Sequence, residues 1–350
     1  TALRLDGHSP DAPSIGLSLL EVSHRGAPYQ AVHDAAIELA HRVLGIPEDT
    51  HQILLLPGGA SMQFVMVPTN LSRPGKPSSF VDTGAWSTKA IAEARHFGDV
   101  RVLGSSSDSK FDHIPTVDYA DAKGSSFLHL TTNNTIYGTE YADIPRGPDG
   151  VPLVIDASSH IGSRPMALAH ADLGYAGAQK NLGCSGLCLV YIRRDLIEAP
   201  DAPSSPKFLK YATHAKANSL FNTPNSFGVL VLKLVLEWVE SQGGVEAMGR
   251  RNREKSELLY TALDKSSLFE AHAKLGHRSQ MTIPFTLAGA PDAERDALTA
   301  RFLDEAAARG LQGLKGHRSV GGCRASMYNA FPVEGARALV AFIEEFERGA

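Results

Sequence analysis

Lys180 and Asp156 are the two residues whose types and setting most suggest chemistry. Asp156 closes a short apolar run, residues 151–155, and Lys180 follows a second short segment, 173–176, across Gly177-Ala178-Gln179. A Gly-Cys-Ser-Gly turn, 183–186, then opens a third apolar run, 187–192. Short apolar runs bounded by glycine and polar turns predict buried strands. An acid leaving one strand and a lysine leaving the next can meet at one edge of a sheet. That pair is what pyridoxal 5'-phosphate requires. The amine forms a Schiff base, and the carboxylate pairs with the protonated pyridine nitrogen so that the ring can act as an electron sink. Each residue also has a plainer role when taken singly, a solvated loop lysine and a turn-forming aspartate.

The surrounding elements decide between these roles. Residues 52–56 predict a strand, followed by Pro57-Gly58-Gly59-Ala60-Ser61 and an apolar helix over 62–71. A strand, a glycine turn and a helix start form an anion site, because free backbone N–H groups and the helix dipole face the ligand. The Lys-Ser/Thr ending of a nucleotide loop is missing, which disfavours a nucleoside triphosphate. A strand over 79–81 leads to Trp86 at the start of a helix running to about residue 97, and a strand is expected over 100–103. A strand over 127–130 ends in the hydroxyl- and amide-rich run 131–138. Strands alternating with helices over residues 50–200 predict a largely parallel sheet, whose ligands bind beyond the C-terminal strand ends. Asp156, Trp86, the 58–61 turn and the 131–138 run all follow strands and are expected to line one crevice.

Elsewhere, a helix is predicted over residues 29–44, with His33 and His41 placed on its solvated face. Thr223 is expected as an N-cap and Pro224 as the first helical residue of an apolar helix to about 242, stopped at Gly243-Gly244. A charged amphipathic helix covers 245–263. Beyond residue 265 a strand over 280–285, a helix over 293–309 and a final helix over 333–346 predict a smaller α+β unit. The expected division is an arm over 1–15, a large domain over 16–264 and a small domain over 265–350.

A net charge of −4 carries no global signal for nucleic acid, and no apolar run reaches the ~20 residues of a membrane span. Cys184, Cys188 and Cys323 make neither a disulfide framework nor a metal ligand set, so all three are expected as buried, reduced thiols and no metal is expected. Reduced cysteines fit the cytosol, or an organelle after processing, since the chain begins at Thr1.

Eight segments now carry a resemblance: SHRG at 23–26, PGGASMQFVMVPTNL at 57–71, DTGAWSTKAI at 82–91, TTNNTIYGTE at 131–140, IDASSHIGSRP at 155–165, YAGAQKNLG at 175–183, NTPNSF at 222–227 and GLKGHRSVGGCRASMYNA at 313–330. The chain resembles the phosphoserine aminotransferases, fold-type I pyridoxal phosphate enzymes of the class V aminotransferase group. The resemblance implies an α/β fold with a mainly parallel large-domain sheet and a smaller C-terminal α+β domain. It makes Lys180 the Schiff-base lysine and proton shuttle, Asp156 the partner of the pyridine nitrogen and Trp86 the stacking residue. Ala60, Ser61 and Gln179 would serve the cofactor phosphate and Thr135 would bond the cofactor. Asn222 and Thr223 would reach the neighbouring subunit of a homodimer. Arg324 would take the substrate α-carboxylate, a planar group suited to a two-pronged donor. His24, Arg25, His317 and Arg318 would take the distal phosphate or carboxylate.

The implied reaction is ping-pong transamination between L-glutamate and phosphohydroxypyruvate, with phosphohydroxythreonine as a related substrate. Before Gly16 the sequence does not match the Phe-Ser-Ala-Gly-Pro segment usual in the family, and an aminotransferase for another acidic keto acid is the nearest alternative. A cysteine desulfurase fits less well, because those enzymes usually place His where this chain has Gln179. A non-catalytic phosphate-ligand binding protein of the same fold would tolerate Lys180→Ala.

Overall fold

The computed structural model describes residues 17–19, 21–198 and 205–349; the arm expected over 1–15 lies outside them. In chain order the helices are α1 (Ala27–Leu44), α2 (Gly59–Leu71), α3 (Ala85–Ala94), α4 (Arg194–Glu198), α5 (Tyr211–Lys216), α6 (Ser226–Ser241), α7 (Gly244–Lys265), α8 (Asp292–Ala308) and α9 (Val333–Arg348). The strands are β1 (His51–Pro57), β2 (Ser78–Asp82), β3 (Val100–Ser105), β4 (Leu128–Thr131), β5 (Asn133–Asn134), β6 (Thr139–Glu140), β7 (Leu153–Asp156), β8 (Leu173–Gly177), β9 (Leu187–Arg193), β10 (Glu270–Ala271), β11 (Thr282–Thr286) and β12 (Cys323–Ser326).

Seven strands form the central sheet in the order β1-β9-β8-β7-β4-β2-β3. The pairs from β8 through β7, β4 and β2 to β3 are parallel, and β9 runs antiparallel to both its neighbours. Both faces are covered, which is why these strands read as continuous apolar runs. Side chains alternate between the faces. Ile53, Leu55, Leu153, Ile155, Leu187 and Leu189 pack in one cluster with α1, α6 and the start of α7. Leu54, Leu56, Val154, Cys188 and Val190 pack in the other with α2 and α3.

The antiparallel sheet β10-β11-β12 packs with α8, α9 and the second half of α7 around a separate core. The boundary expected between 264 and 265 falls at the C-terminal end of α7. Phe269, Phe285, Phe302, Phe342 and Phe346 form the centre of that core, with the Phe302 and Phe342 rings stacked at 4.9 Å. Among the described residues no helix is long and apolar enough to cross a membrane.

Three expectations fail, two of them because a side chain found a partner that the local pattern did not show. His33 and His41 are buried rather than solvated, and they bond the backbone carbonyls of Asn218 and Ile46 at 2.9 Å each. Asn225, not Thr223, caps α6, accepting from the Gly228 N–H at 2.9 Å, so the helix begins at Ser226 rather than Pro224. Cys184 is half-buried, whereas Cys188 and Cys323 are buried as expected; all three are free thiols.

Candidate active site

The sheet topology gathers the chemistry at one edge. The strands β1, β2, β4, β7 and β8 all end there, delivering the Gly58-Gly59 turn, the approach to Trp86, Thr131, Asp156 and the Gln179-Lys180 turn. Because β9 is reversed, its first residue lies at the same edge: Leu187 pairs with Pro57, and Cys188 with Gly177. Ser185 and Gly186 therefore join the rim. The resulting cleft of about 470 Å³ is lined by residues 58–61, Phe64, Trp86, Thr131, Asn133, Thr135, Asp156, Ser158, Ser159, Gln179, Lys180, Ser185 and Gly186.

One end of the cleft is the N-terminus of α2. Gly58 and Gly59 both have positive φ, 88° and 61°. A Cβ on Gly58 would strike Met62 at 2.8 Å, while one on Gly59 would meet nothing within 4 Å, so the backbone at Gly59 is open. The first turn of α2 holds no acidic residue, leaving its N–H groups and dipole available to an anion.

The same cleft holds Asp156 and Lys180. Asp156 is 5% exposed. Its Oδ1 accepts from the Ser158 hydroxyl at 2.6 Å and the Ser158 N–H at 2.9 Å. Burial nevertheless pushes the carboxyl above its usual range, against the pull of these bonds and of the Lys180 and His160 charges. Ser158 Oγ in turn accepts from the Gly177 N–H at 3.1 Å, tying β7 to β8. Lys180 Nζ donates to Thr135 Oγ1 at 2.7 Å. Burial depresses the ammonium, Asp156 raises it and Arg324 lowers it. A depressed lysine has more neutral amine at a given pH, which is what a nucleophile needs. Trp86 closes the wall, its ring centroid 5.9 Å from Lys180 Nζ and 4.4 Å from Lys89 Nζ.

Several polar atoms here are shielded from solvent and have no protein partner: Trp86 Nε1, Thr131 Oγ1 and Arg324 Nε. Trp86 and Thr131 line the cleft, and their unpaired atoms are free to bond a ligand there. The cleft thus offers an amine, a carboxylate, an indole and an anion site together.

The class-V aminotransferase family model matches residues 15–339. Phosphoserine aminotransferase of Geobacillus kaustophilus is 50% identical over 336 residues, 95% of this chain and 90% of that protein. The chain belongs to the phosphoserine aminotransferase family, within the class-V aminotransferases. Phosphoserine aminotransferase of Bacillus circulans subsp. alkalophilus has a TM-score of 0.90 at 42% identity, over 97% of this chain and 92% of that one. The PLP-bound phosphoserine aminotransferase of Trichomonas vaginalis has a TM-score of 0.88 at 32% identity, over 97% and 94%. The fold is therefore that of the fold-type I enzymes.

Of the residues singled out from the sequence, Ala60, Ser61, Trp86, Thr135, Asp156, Gln179 and Lys180 line the one cleft. Arg324 sits on β12 opposite Pro284 of β11, and its charge is felt by Lys180 and by His317. His317 is lowered by burial and by the nearby Arg324, Arg318 and Lys89 charges. Arg318 lines a separate groove beside α8. The structure does not bring His24, Arg25, Asn222 or Thr223 into the lining of the Lys180 cleft. Arg25 is exposed, His24 Nε2 is buried without a partner, and Asn222 Nδ2 bonds only the Thr223 carbonyl at 3.0 Å among its described contacts.

Sequence reasoning missed Phe64, Ser158, Ser159 and the Ser185-Gly186 rim. For Ser158 a signal existed: Asp-x-Ser at a strand end favours a side-chain-to-backbone turn.

Proposed function

We propose that this chain transfers the amino group of L-glutamate to phosphohydroxypyruvate, giving 2-oxoglutarate and phosphoserine, with pyridoxal 5'-phosphate as its cofactor. The observation that carries the proposal is the meeting of Lys180 and Asp156 in one cleft with an open helix N-terminus. The donor set fits that cofactor: an anion site for the phosphate, a buried carboxylate for the ring nitrogen, an indole for the ring face and an amine for the aldehyde. When bound, the cofactor supplies an electron sink for the bond broken at the substrate Cα.

The residues of the chain do the remaining work. Ala60 and Ser61, with the α2 dipole and Gln179, would hold the phosphate. Asp156, oriented by Ser158, would hold the proton on the ring nitrogen. Lys180 would bind the aldehyde and move a proton at the substrate Cα, its amine kept reactive by burial. Thr135 accepts from Nζ and holds it in place. Trp86 would lie against the ring and exclude water.

Arg324, with an unpartnered Nε, takes the α-carboxylate. His24, Arg25, His317 and Arg318 are the donors proposed for the distal phosphate or γ-carboxylate. Asn222 and Thr223 are proposed to complete the neighbouring site in a homodimer, a role that suits their position outside the chain's own cleft. A large domain over 16–264 and a small domain over 265–350 are part of the same proposal.

The test is a spectroscopic half-reaction on the cofactor-loaded protein. The visible band is expected to bleach with L-glutamate and to return with phosphohydroxypyruvate. A band that bleaches but does not return would discard this keto acid and favour another acidic one. No band after cofactor addition would sink the role given to Lys180.

A further inference from the structure

Lys255 is a fully buried lysine that the proposed reaction leaves without a role. It lies in the middle of α7, is 0% exposed and has no carboxylate partner among the described residues. Its Nζ donates instead to three backbone carbonyls: Tyr328 at 2.8 Å, Met327 at 3.0 Å and Phe331 at 3.1 Å. An ammonium has three N–H donors and a neutral amine has two, so the three acceptors match the charged form. Burial and the Arg251 charge lower the group to about 8, which leaves it charged at neutral pH. Burying an unpaired charge is costly unless hydrogen bonds replace the lost water. A methionine would fill the same space without that cost, so the three bonds are what the lysine adds.

The three carbonyls belong to one turn. Residues 327–331 lead from β12, which carries Arg324, towards α9. The Phe331 N–H donates to the Tyr328 carbonyl at 2.9 Å and closes the turn, and the Met327 N–H donates to the Met281 carbonyl at 2.8 Å. The Asn329 N–H donates to Asn181 Oδ1 at 3.0 Å, which ties the turn to the residue after Lys180. Asn252 Nδ2 donates to Asn329 Oδ1 at 2.8 Å. Asn252 and Lys255 are three residues apart and so share one face of α7. That helix packs into both cores, through Met248 beneath the central sheet and through Leu259, Tyr260 and Leu263 in the second core. The turn is therefore fastened to an element anchored on both sides of the site.

We infer that Lys255 is a positioning residue: by holding the carbonyls of Met327, Tyr328 and Phe331 it sets the turn that fixes Arg324 relative to Lys180, and with it the site's affinity for the substrate α-carboxylate. The inference rests on the α-carboxylate role given to Arg324 above. The strand β12 is four residues long, so a displaced turn is passed along it to Arg324. A two-pronged donor loses its grip on a carboxylate with a small change of angle or distance. The lysine itself touches neither substrate nor cofactor and acts through the guanidinium.

The test is a double-mutant cycle on the cofactor-loaded protein. It reads the L-glutamate concentration that half-saturates bleaching of the visible band, and the limiting rate of bleaching. Lys255→Met keeps most of the side-chain volume and removes the three donors. It is expected to raise the half-saturating concentration about tenfold, against about 100-fold for Arg324→Gln. The limiting rate and the dissociation constant of pyridoxal phosphate are expected to stay at the parent values. In the Arg324→Gln background Lys255→Met is expected to add nothing, because no guanidinium is left to misplace. A second readout needs no catalysis: hydrogen exchange over residues 324–331 of the cofactor-free chain should be faster in Lys255→Met. An equal rise in both backgrounds, an unchanged half-saturating concentration or unchanged exchange would overturn the inference and leave the proposed function standing. If Arg324→Gln itself leaves the half-saturating concentration at the parent value, the α-carboxylate assignment fails and this inference with it. A loaded parent that does not bleach with L-glutamate would sink the proposed function and this inference together. If Lys255→Met does not fold, Lys255→Gln, which keeps two N–H donors for the three carbonyls, is read in the same cycle.

Discussion

Asn329→Ala should loosen the seam between the lysine turn and the strand that carries Arg324. The Asn329 N–H donates to Asn181 Oδ1 at 3.0 Å, next to Lys180, and that bond survives the change. Asn329 Nδ2 donates to the Gly162 carbonyl and Asn329 Oδ1 accepts from Asn252 Nδ2, both at 2.8 Å, and these two are lost. Asn329 is 3% and Asn252 0% exposed, so water cannot replace them. Two net bonds at about 1 kcal/mol each, plus about 1 kcal/mol for the Gly162 carbonyl left without this donor, sum to a destabilisation of ~3 kcal/mol. Asn252→Ala removes the same shared bond together with its donation to the Ser163 carbonyl at 2.8 Å, and by the same count should also cost ~3 kcal/mol. The double variant should fall short of the sum by about 1 kcal/mol, because the shared bond is lost only once. Urea unfolding at one fixed protein concentration measures all three. A loss under about 1 kcal/mol for Asn329→Ala, or strict additivity, would show that the seam does not act as a coupled unit.

Three further outcomes are expected. Arg324→Gln should raise the KM for L-glutamate about 100-fold, equivalent to ~3 kcal/mol for a lost two-pronged ion pair, with cofactor affinity unchanged in a direct titration. The rate at which Lys180 captures the aldehyde of added pyridoxal phosphate should rise through a midpoint below the ordinary lysine value of 10.5, because burial favours the neutral amine. Asp156→Asn, which removes a charge that raises this group, should move the midpoint further down, and Arg324→Gln should move it up; a shift in the opposite sense in either variant contradicts the electrostatic account. Gly138→Ala should cost about 3 kcal/mol in urea unfolding, since Gly138 has φ 67° and its Cβ would lie 2.3 Å from Pro284 Cδ.

The legible part of the site was the part written in local pattern. Glycine turns and short apolar runs located the strand ends, and the residues that follow them, Gly58 to Ser61, Trp86, Thr135, Asp156 and Lys180, share one cleft. The illegible part involved partners far apart in the chain. Nothing near residue 33 announces a carbonyl at 218. The contacts of Glu140 with Arg164 and His160 were equally hidden. Each residue is unremarkable as a letter and becomes informative only when buried beside the others.

The order of residue types along the chain determined that this would be a covered, mostly parallel sheet with an acid and a lysine after neighbouring strands, because alternation and turn chemistry are local properties. Tertiary structure alone decided that β9 would run backwards and bring Ser185 and Gly186 to the same edge. It alone brought the Arg324 charge from the second core within reach of Lys180 and walled Asp156 and Glu140 off from water. Those outcomes set the charge states of the site. They depend on desolvation and on the distance between charges, quantities that exist only once the chain has packed.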